Sequence, residues 1–238
     1  MSTTTLEVFE SYIDCRKNKR STPSALTFQS NLAANIRELT HELNSGTYEI
    51  GQSRCFAVMT PKPREVWAAS FRDRIVHHLI YNRIQESFTK SFSAGSCACI
   101  PGRGALYGSK RLERMIRSGS ENWSKRLYYL KMDISNFFVS IQKDILEALL
   151  IKRIPCDWTR ALTLQVLHHD PTSNYVISGN AANLAYVPAH KSLFNAPQFM
   201  GLPIGNLSSQ FFANVYMDVL DQFVEHKIRP RGYVRYVE

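Results

Sequence analysis

Asp133 is a single acid at the end of an apolar, strand-like run, and its cost there has to be met by something. Leu127-Tyr128-Tyr129-Leu130 precedes it, aromatic and aliphatic residues that suit a pleated, half-buried surface. An ionised carboxylate beside such a run is expensive unless a cation, a metal or several donors face it. Two readings stand on spacing alone. One is a helix cap, since Ile141, Ile145 and Leu149 recur at helical spacing downstream, although a cap for that helix belongs nearer Ser140. The other is a metal-binding or catalytic carboxylate.

Elements that could position Asp133 follow from periodicity. Phe28, Leu32, Ile36, Leu39 and Leu43 predict one helix, with Gly46 as its C-terminal stop. Tyr48 to Thr60 reads as a strand ended by Pro61-Lys62-Pro63. A second helix is predicted over about 69–88, with Ile75, Leu79 and Ile80 or Ile84 inward. Its Arg72, Asp73, Arg74 and His77 cannot all face that core, so some must meet a partner or one another. Ser96 to Gly104 is a loop with one proline and two glycines, and a basic helix over about 105–117 follows. Then come the Asp133 strand and an amphipathic helix over about 140–153. Residues 168–200 are polar and Asn/Pro-rich without a period, a length that usually marks a functional or mobile loop. A further helix carries Phe211, Val215 and Val219 on one face, and Tyr233 to Glu238 alternates like a strand.

Composition narrows the class. The chain has 238 residues, 44% hydrophobic and 21% charged, which fits one large or two small globular domains. No apolar run approaches the ~20 residues needed to span a bilayer. The N-terminus lacks the order of a signal peptide, and the five cysteines form no CxxC pair, so a cytoplasmic protein with reduced thiols and no zinc site is expected. The net charge of +9 favours a polyanionic partner. Its basic residues lie in short clusters, among them Lys110-Arg111 with Arg114 and Arg117, instead of in one tail.

In this order the pieces resemble the fingers and palm of a reverse transcriptase, most of all the bacterial kind found in diversity-generating retroelements. PKPREVWAASFRDRIVHHLI (61–80) and SCACIPGRG (96–104) are similar to the two fingers motifs. LKMDISNFFVSI (130–141) is similar to palm motif A, and GLPIGNLSSQFFANVY (201–216) to motif B, whose Ser-Gln pair in place of Ser-Pro points to the retroelement branch. The resemblance implies an α+β, helix-rich fold of right-hand type, with an incomplete ferredoxin-like palm sheet and no thumb. It divides the chain into a basic extension (1–24), fingers (25–125) and palm (126–238).

The same resemblance implies template-directed transfer of deoxynucleotides to a primer 3′ hydroxyl with two magnesium ions. Asp133 and the carbonyl of Ile134 would be metal ligands. Phe138 would sit where a bulky ring collides with a ribose 2′ hydroxyl, unless it is core packing. Lys62 and Arg64 would reach triphosphate or template phosphates, while Gly205 and Gln210 would lie near the nascent base pair and Ser209 against nucleic acid. Lys110, Arg111 and Arg114 would track the template backbone, with surface solvation as the competing reading, and Arg103 is a further nucleic-acid-binding candidate. The implied partners are an RNA template, an RNA–DNA duplex, deoxynucleoside triphosphates and a possible retroelement accessory protein, with no membrane.

Two departures matter. The second fingers motif usually reads Tyr-Ala-Cys-Arg, but Cys97-Ala98-Cys99-Ile100 lacks both the tyrosine and the arginine, and Arg103 is the candidate substitute. Motif C ordinarily reads Tyr-x-Asp-Asp. Here Tyr236-Val237 is followed by Glu238, which would be the third metal ligand, with the carboxylate displaced by about 1 Å, an error that can cost about 100-fold in rate. The expectation is an inactive, truncated polymerase fragment that ends within motif C. The alternatives are a non-catalytic nucleic-acid-binding module and an unrelated metal enzyme recruiting Asp170, Asp218 or Asp221. For the last two, on the motif B helix, solvation or an ion pair is the competing role.

Overall fold

The computed structural model describes residues 2–17 and 19–237. Helix α1 (Thr5–Arg16) starts at a reciprocal cap: Glu7 N–H donates to the Thr4 hydroxyl, and Thr4 N–H donates to the Glu7 carboxylate. It buries Val8, Tyr12 and Cys15, which recur at three- and four-residue steps. The single helix predicted through Phe28 to Leu43 is two, α2 (Pro23–Ser30) and α3 (Leu32–Ser45). Asn31, at φ −130° and ψ 46°, breaks them. The apolar period runs across that break unchanged, so spacing could not reveal it. Ile36, Leu39 and Leu43 are buried as expected, and Gly46 ends α3 in the left-handed region, at φ 75°.

Strand β1 (Ser53–Val58) pairs antiparallel with β2 (Arg64–Ala68), from Arg54 opposite Ala68 to Val58 opposite Arg64. On its other edge β1 takes the three-residue β3 (Tyr175–Ile177) in parallel, giving the order β2-β1-β3. Helix α4 (Phe71–Thr89) begins at Ser70, whose hydroxyl accepts from Asp73 N–H. Its Asp73 is fully buried and accepts from Tyr48 Oη at 2.7 Å, Ser70 Oγ at 2.6 Å and Gly51 N–H at 3.1 Å. Arg72 turns outward to Glu42 and stacks on the Tyr48 ring. Asp73 and His77 therefore face inward, and Arg72 meets a partner.

The remaining elements are α5 (Ala105–Gly119), the single turn α6 (Phe137–Ser140), α7 (Lys143–Ile151), α8 (Asp157–His168) and α9 (Leu207–Phe223), with a π-helical turn at Val224–Ile228. Helix α8 was unassigned from the sequence. It buries Thr159, Leu162, Thr163 and Leu167, a stripe diluted by threonines. One apolar cluster runs from Val8 on α1 through Ile75 and Phe88 on α4 to Leu146 on α7 and Phe211 and Phe212 on α9. Phe211 meets Tyr81 and Phe88 edge-on, at 5.3 and 5.7 Å between centroids, contacts of about 0.5–1.5 kcal/mol each beyond burial. The architecture is α+β, with helices dominating a small mixed sheet. No helix among the described residues is long and apolar enough to cross a membrane.

Two predicted strands are not formed. Residues 126–134 are irregular, and among the described residues none of their backbone groups is paired within the chain. A strand exists only as part of a ladder, and no described segment pairs its backbone with this one. Its residues consequently stand in solvent, with Tyr128 and Tyr129 each 87% exposed. At the other predicted strand, Tyr233 to Glu238, Arg235 makes one isolated bridge with Ser96. Glu238 lies outside the described residues.

Candidate functional site

The loop from Gly201 into α9 organises the surroundings of the site. Ile204 C=O accepts from Trp67 N–H at 2.7 Å, and Asn206 Oδ1 accepts from Ala69 N–H at 3.1 Å, so the loop lies along β2. Gly205 holds φ +124°, and a Cβ there would stand 2.8 Å from Val66 Cγ1 and 2.9 Å from the Trp67 carbonyl oxygen. Both the backbone conformation and the close approach require glycine. On the other side, Leu202 N–H donates to Phe138 C=O and Gly201 N–H to Ile141 C=O, each at 2.8 Å. The segment following Asp133 is thereby fixed against the start of the loop.

Helix α9 gathers two more segments. Asn214 Nδ2 donates to Ala98 C=O at 2.9 Å, and Cys99 Sγ lies 3.6 Å from Gln210 Oε1. Arg235 is buried between them. Its Nε and Nη2 donate to the two oxygens of Asp221 at 2.8 Å each, Nη2 also to Ser96 Oγ at 2.8 Å, and Nη1 to Asn214 Oδ1 and the Val237 carbonyl. Tyr233 Oη donates to the same Asp221 at 2.6 Å. Burial and that hydrogen bond to a carboxylate push the Tyr233 phenol well above its usual range.

The other predicted residues fall as follows. Phe138 is half-buried against the core, in edge contact with Phe137 at 5.4 Å. Ser209 is buried, whereas Gln210 is exposed. Lys62 and Arg64 are exposed at the entry to β2. Arg103 donates from Nη1 to the Ser93 and Ser96 carbonyls, at 2.6 and 3.2 Å, so that nitrogen braces its own loop. Lys110 and Arg114 are exposed on α5, a helix whose one buried residue is Gly108, and Arg111 is half-buried. Asp133 is exposed, as is Ile134 at 36%. Among the described residues no hydrogen bond or ion pair joins Asp133 to another side chain, and none of them form a group of three or more His, Cys, Asp or Glu able to hold a metal. One carboxylate and one carbonyl do not by themselves hold two magnesium ions. Glu238 falls outside the described residues.

Two features escaped sequence reasoning, and a third was foreseen only in part. Glu65 is buried and accepts from Trp67 Nε1, Ser192 Oγ at 2.5 Å and Leu193 N–H at 2.9 Å, tying the polar 168–200 stretch to β2. His77 Nδ1 lies 2.7 Å from Ser208 Oγ, and burial drives its pKa down to about 3. Arg235 and Asp221 form a buried pair: an ion pair was one of the roles expected for Asp221, but nothing in the sequence named Arg235 as its partner. Asp221 is thus an ion-pair partner. Asp218, half-paired with Arg153 at 3.9 Å, has its carboxyl raised by burial.

No protein-family model matches the chain, and no curated protein sequence matches it significantly.

Proposed function

We propose that this chain is the fingers and part of the palm of an RNA-directed DNA polymerase, and that it binds primed nucleic acid through its basic fingers surface. The observation that carries the reading is convergence on one loop and helix. Segments near residues 67, 98, 138 and 235, each resembling a different polymerase motif, all hydrogen-bond to residues 201–221. Chance similarity of four short segments gives no reason for them to meet. In this reading Asp133 contributes one metal-binding carboxylate, Phe138 screens the sugar, and Gln210 faces the nascent pair from an exposed position. Lys62 and Arg64 present a point charge and a bidentate fork to phosphate.

The exposed Asp133, unaccompanied among the described residues, favours a second reading, a non-catalytic nucleic-acid-binding module of the same descent. Both are tested on the 238-residue chain with a primed RNA template, magnesium and deoxynucleotides. The expected result is salt-dependent binding of the primed template, weakened by Lys62→Ala with Arg64→Ala and unchanged by Asp133→Ala, with no primer extension. Extension abolished by Asp133→Ala would overturn the non-catalytic reading. Failure to bind primed template at low salt would overturn both.

A further inference from the structure

Residues 128–133 are exposed, while Leu127 beside them packs against Gly119 at the end of α5. Their N–H and C=O groups are unpaired among the described residues, and Tyr128, Tyr129, Leu130 and Met132 are 87%, 87%, 80% and 69% exposed. Edges of this kind are normally blunted by charge, proline or a cover. Between Leu127 and Met132 the one charge is Lys131, and there is no proline. A partner that offers a peptide backbone and apolar side chains would satisfy both the unpaired backbone and the exposed apolar residues.

Symmetry then limits how two copies could pair. In an antiparallel ribbon, opposed side chains share a face, and a two-fold axis normal to the ribbon keeps each residue on its own face. Opposed residue numbers must therefore add to an even total, and the axis must pass beside a residue facing its own copy. Centring on Tyr128 would set Lys125 against Lys131, two like charges. Centring on Leu130 would set Asp133 against Leu127 and strand a carboxylate on an apolar side chain. Centring on Tyr129 sets Lys125 against Asp133 at both ends, Tyr128 against Leu130, Arg126 against Met132, and the Tyr129 rings against each other. The Lys131 stem lies along Leu127 with its ammonium in solvent.

We propose that residues 125–133 pair antiparallel with the same segment of a second copy of this chain, in the register centred on Tyr129. The segment is self-complementary in charge in that register alone among the three, which points to a second copy as the occupant. Lys125 holds Glu121 within its own chain at 2.5 Å, but both side chains are more than half exposed, so exchanging that pair for Asp133 costs little. The pairing is argued without the polymerase reading, and it engages Asp133 with Lys125 of the second copy, so metal binding at Asp133 and pairing would compete.

Sedimentation velocity on the full chain, from sub-micromolar to tens of micromolar, tests it. A monomer–dimer equilibrium is expected. Tyr129→Lys, which sets two ammonium groups together at the axis, should weaken the dimer at least about tenfold, and Tyr129→Glu should do the same. Asp133→Lys should also weaken it, and adding Lys125→Glu to that variant should restore it. Circular dichroism verifies that these exposed substitutions leave the fold intact. A monomer at every concentration would overturn the proposal. So would association indifferent to Tyr129→Lys, or a charge reversal that the second substitution fails to rescue.

Discussion

Arg235 gives the residue scale its strongest test. Its guanidinium is 5% exposed in side chain and binds Asp221, 1% exposed, through both oxygens. Removing one partner of a buried pair leaves the other charged and dry, which costs about 3–5 kcal/mol, whereas removing both is far milder. Asp221→Asn and Arg235→Met should each lower stability to denaturant by about that amount, and the double variant by clearly less than the sum. Additive effects in a double-mutant cycle would show that the pair is not coupled. An ion pair was an expected role for Asp221, but its partner was not legible, because a buried pair across fourteen residues leaves no periodicity. Gly205 was singled out in the sequence only as a residue near the nascent base pair, and its close approach to Val66 and Trp67 came from the structure.

At the scale of elements, α9 and α4 were readable because apolar residues recurring at helical spacing describe a helix wherever it packs, although Val219, expected on the buried stripe of α9, is exposed. The segment ending at Asp133 was misjudged for a different reason. Apolar and aromatic composition reports suitability for a sheet, but the strand depends on a neighbour that composition cannot supply. The contact between α4 and α9 carries its own prediction, through His77 against Ser208. Burial first, then the nearby His78, His169 and Arg74, lowers its pKa from the ordinary 6.5 to about 3. Between those values the unfolded chain takes up a proton that the folded chain refuses. Stability from this group is therefore complete above about pH 6.5 and falls as pH drops, by about 3 kcal/mol at about pH 4. His78, lowered to about 4 by burial, adds to the same slope. Urea unfolding across this range should show the decline, and His77→Gln should flatten it by roughly His77's share. An unchanged slope in that variant would mean that His77 is hydrated in the fold.

For the whole molecule, the net charge of +9 was visible at once, but its distribution was not. The structure divides the basic residues into two kinds. Arg83 is held by Glu7 at 2.9 Å and stacked on Trp158, Arg160 is tied to the Ile154 carbonyl, and Arg235 is buried, so these three brace the fold. Lys110 and Arg114 instead project from α5, where nothing but Gly108 is buried, and Arg111 is half-exposed beside them. A polyanion can use the second kind without disturbing the first. Each phosphate neutralised releases about one counterion, so the logarithm of affinity should fall with the logarithm of salt by about 0.9 per contact on a duplex. Replacing Lys110, Arg111 and Arg114 together by Ala should reduce that slope by about 2–3 while leaving the unfolding midpoint nearly unchanged. Arg160→Ala should do the reverse, lowering stability and sparing the slope. Fluorescence anisotropy on a primed RNA template at several salt concentrations reads both. If the triple variant kept the full slope, α5 would be an ordinary solvated surface, and the binding face would have to be sought at Lys62 and Arg64.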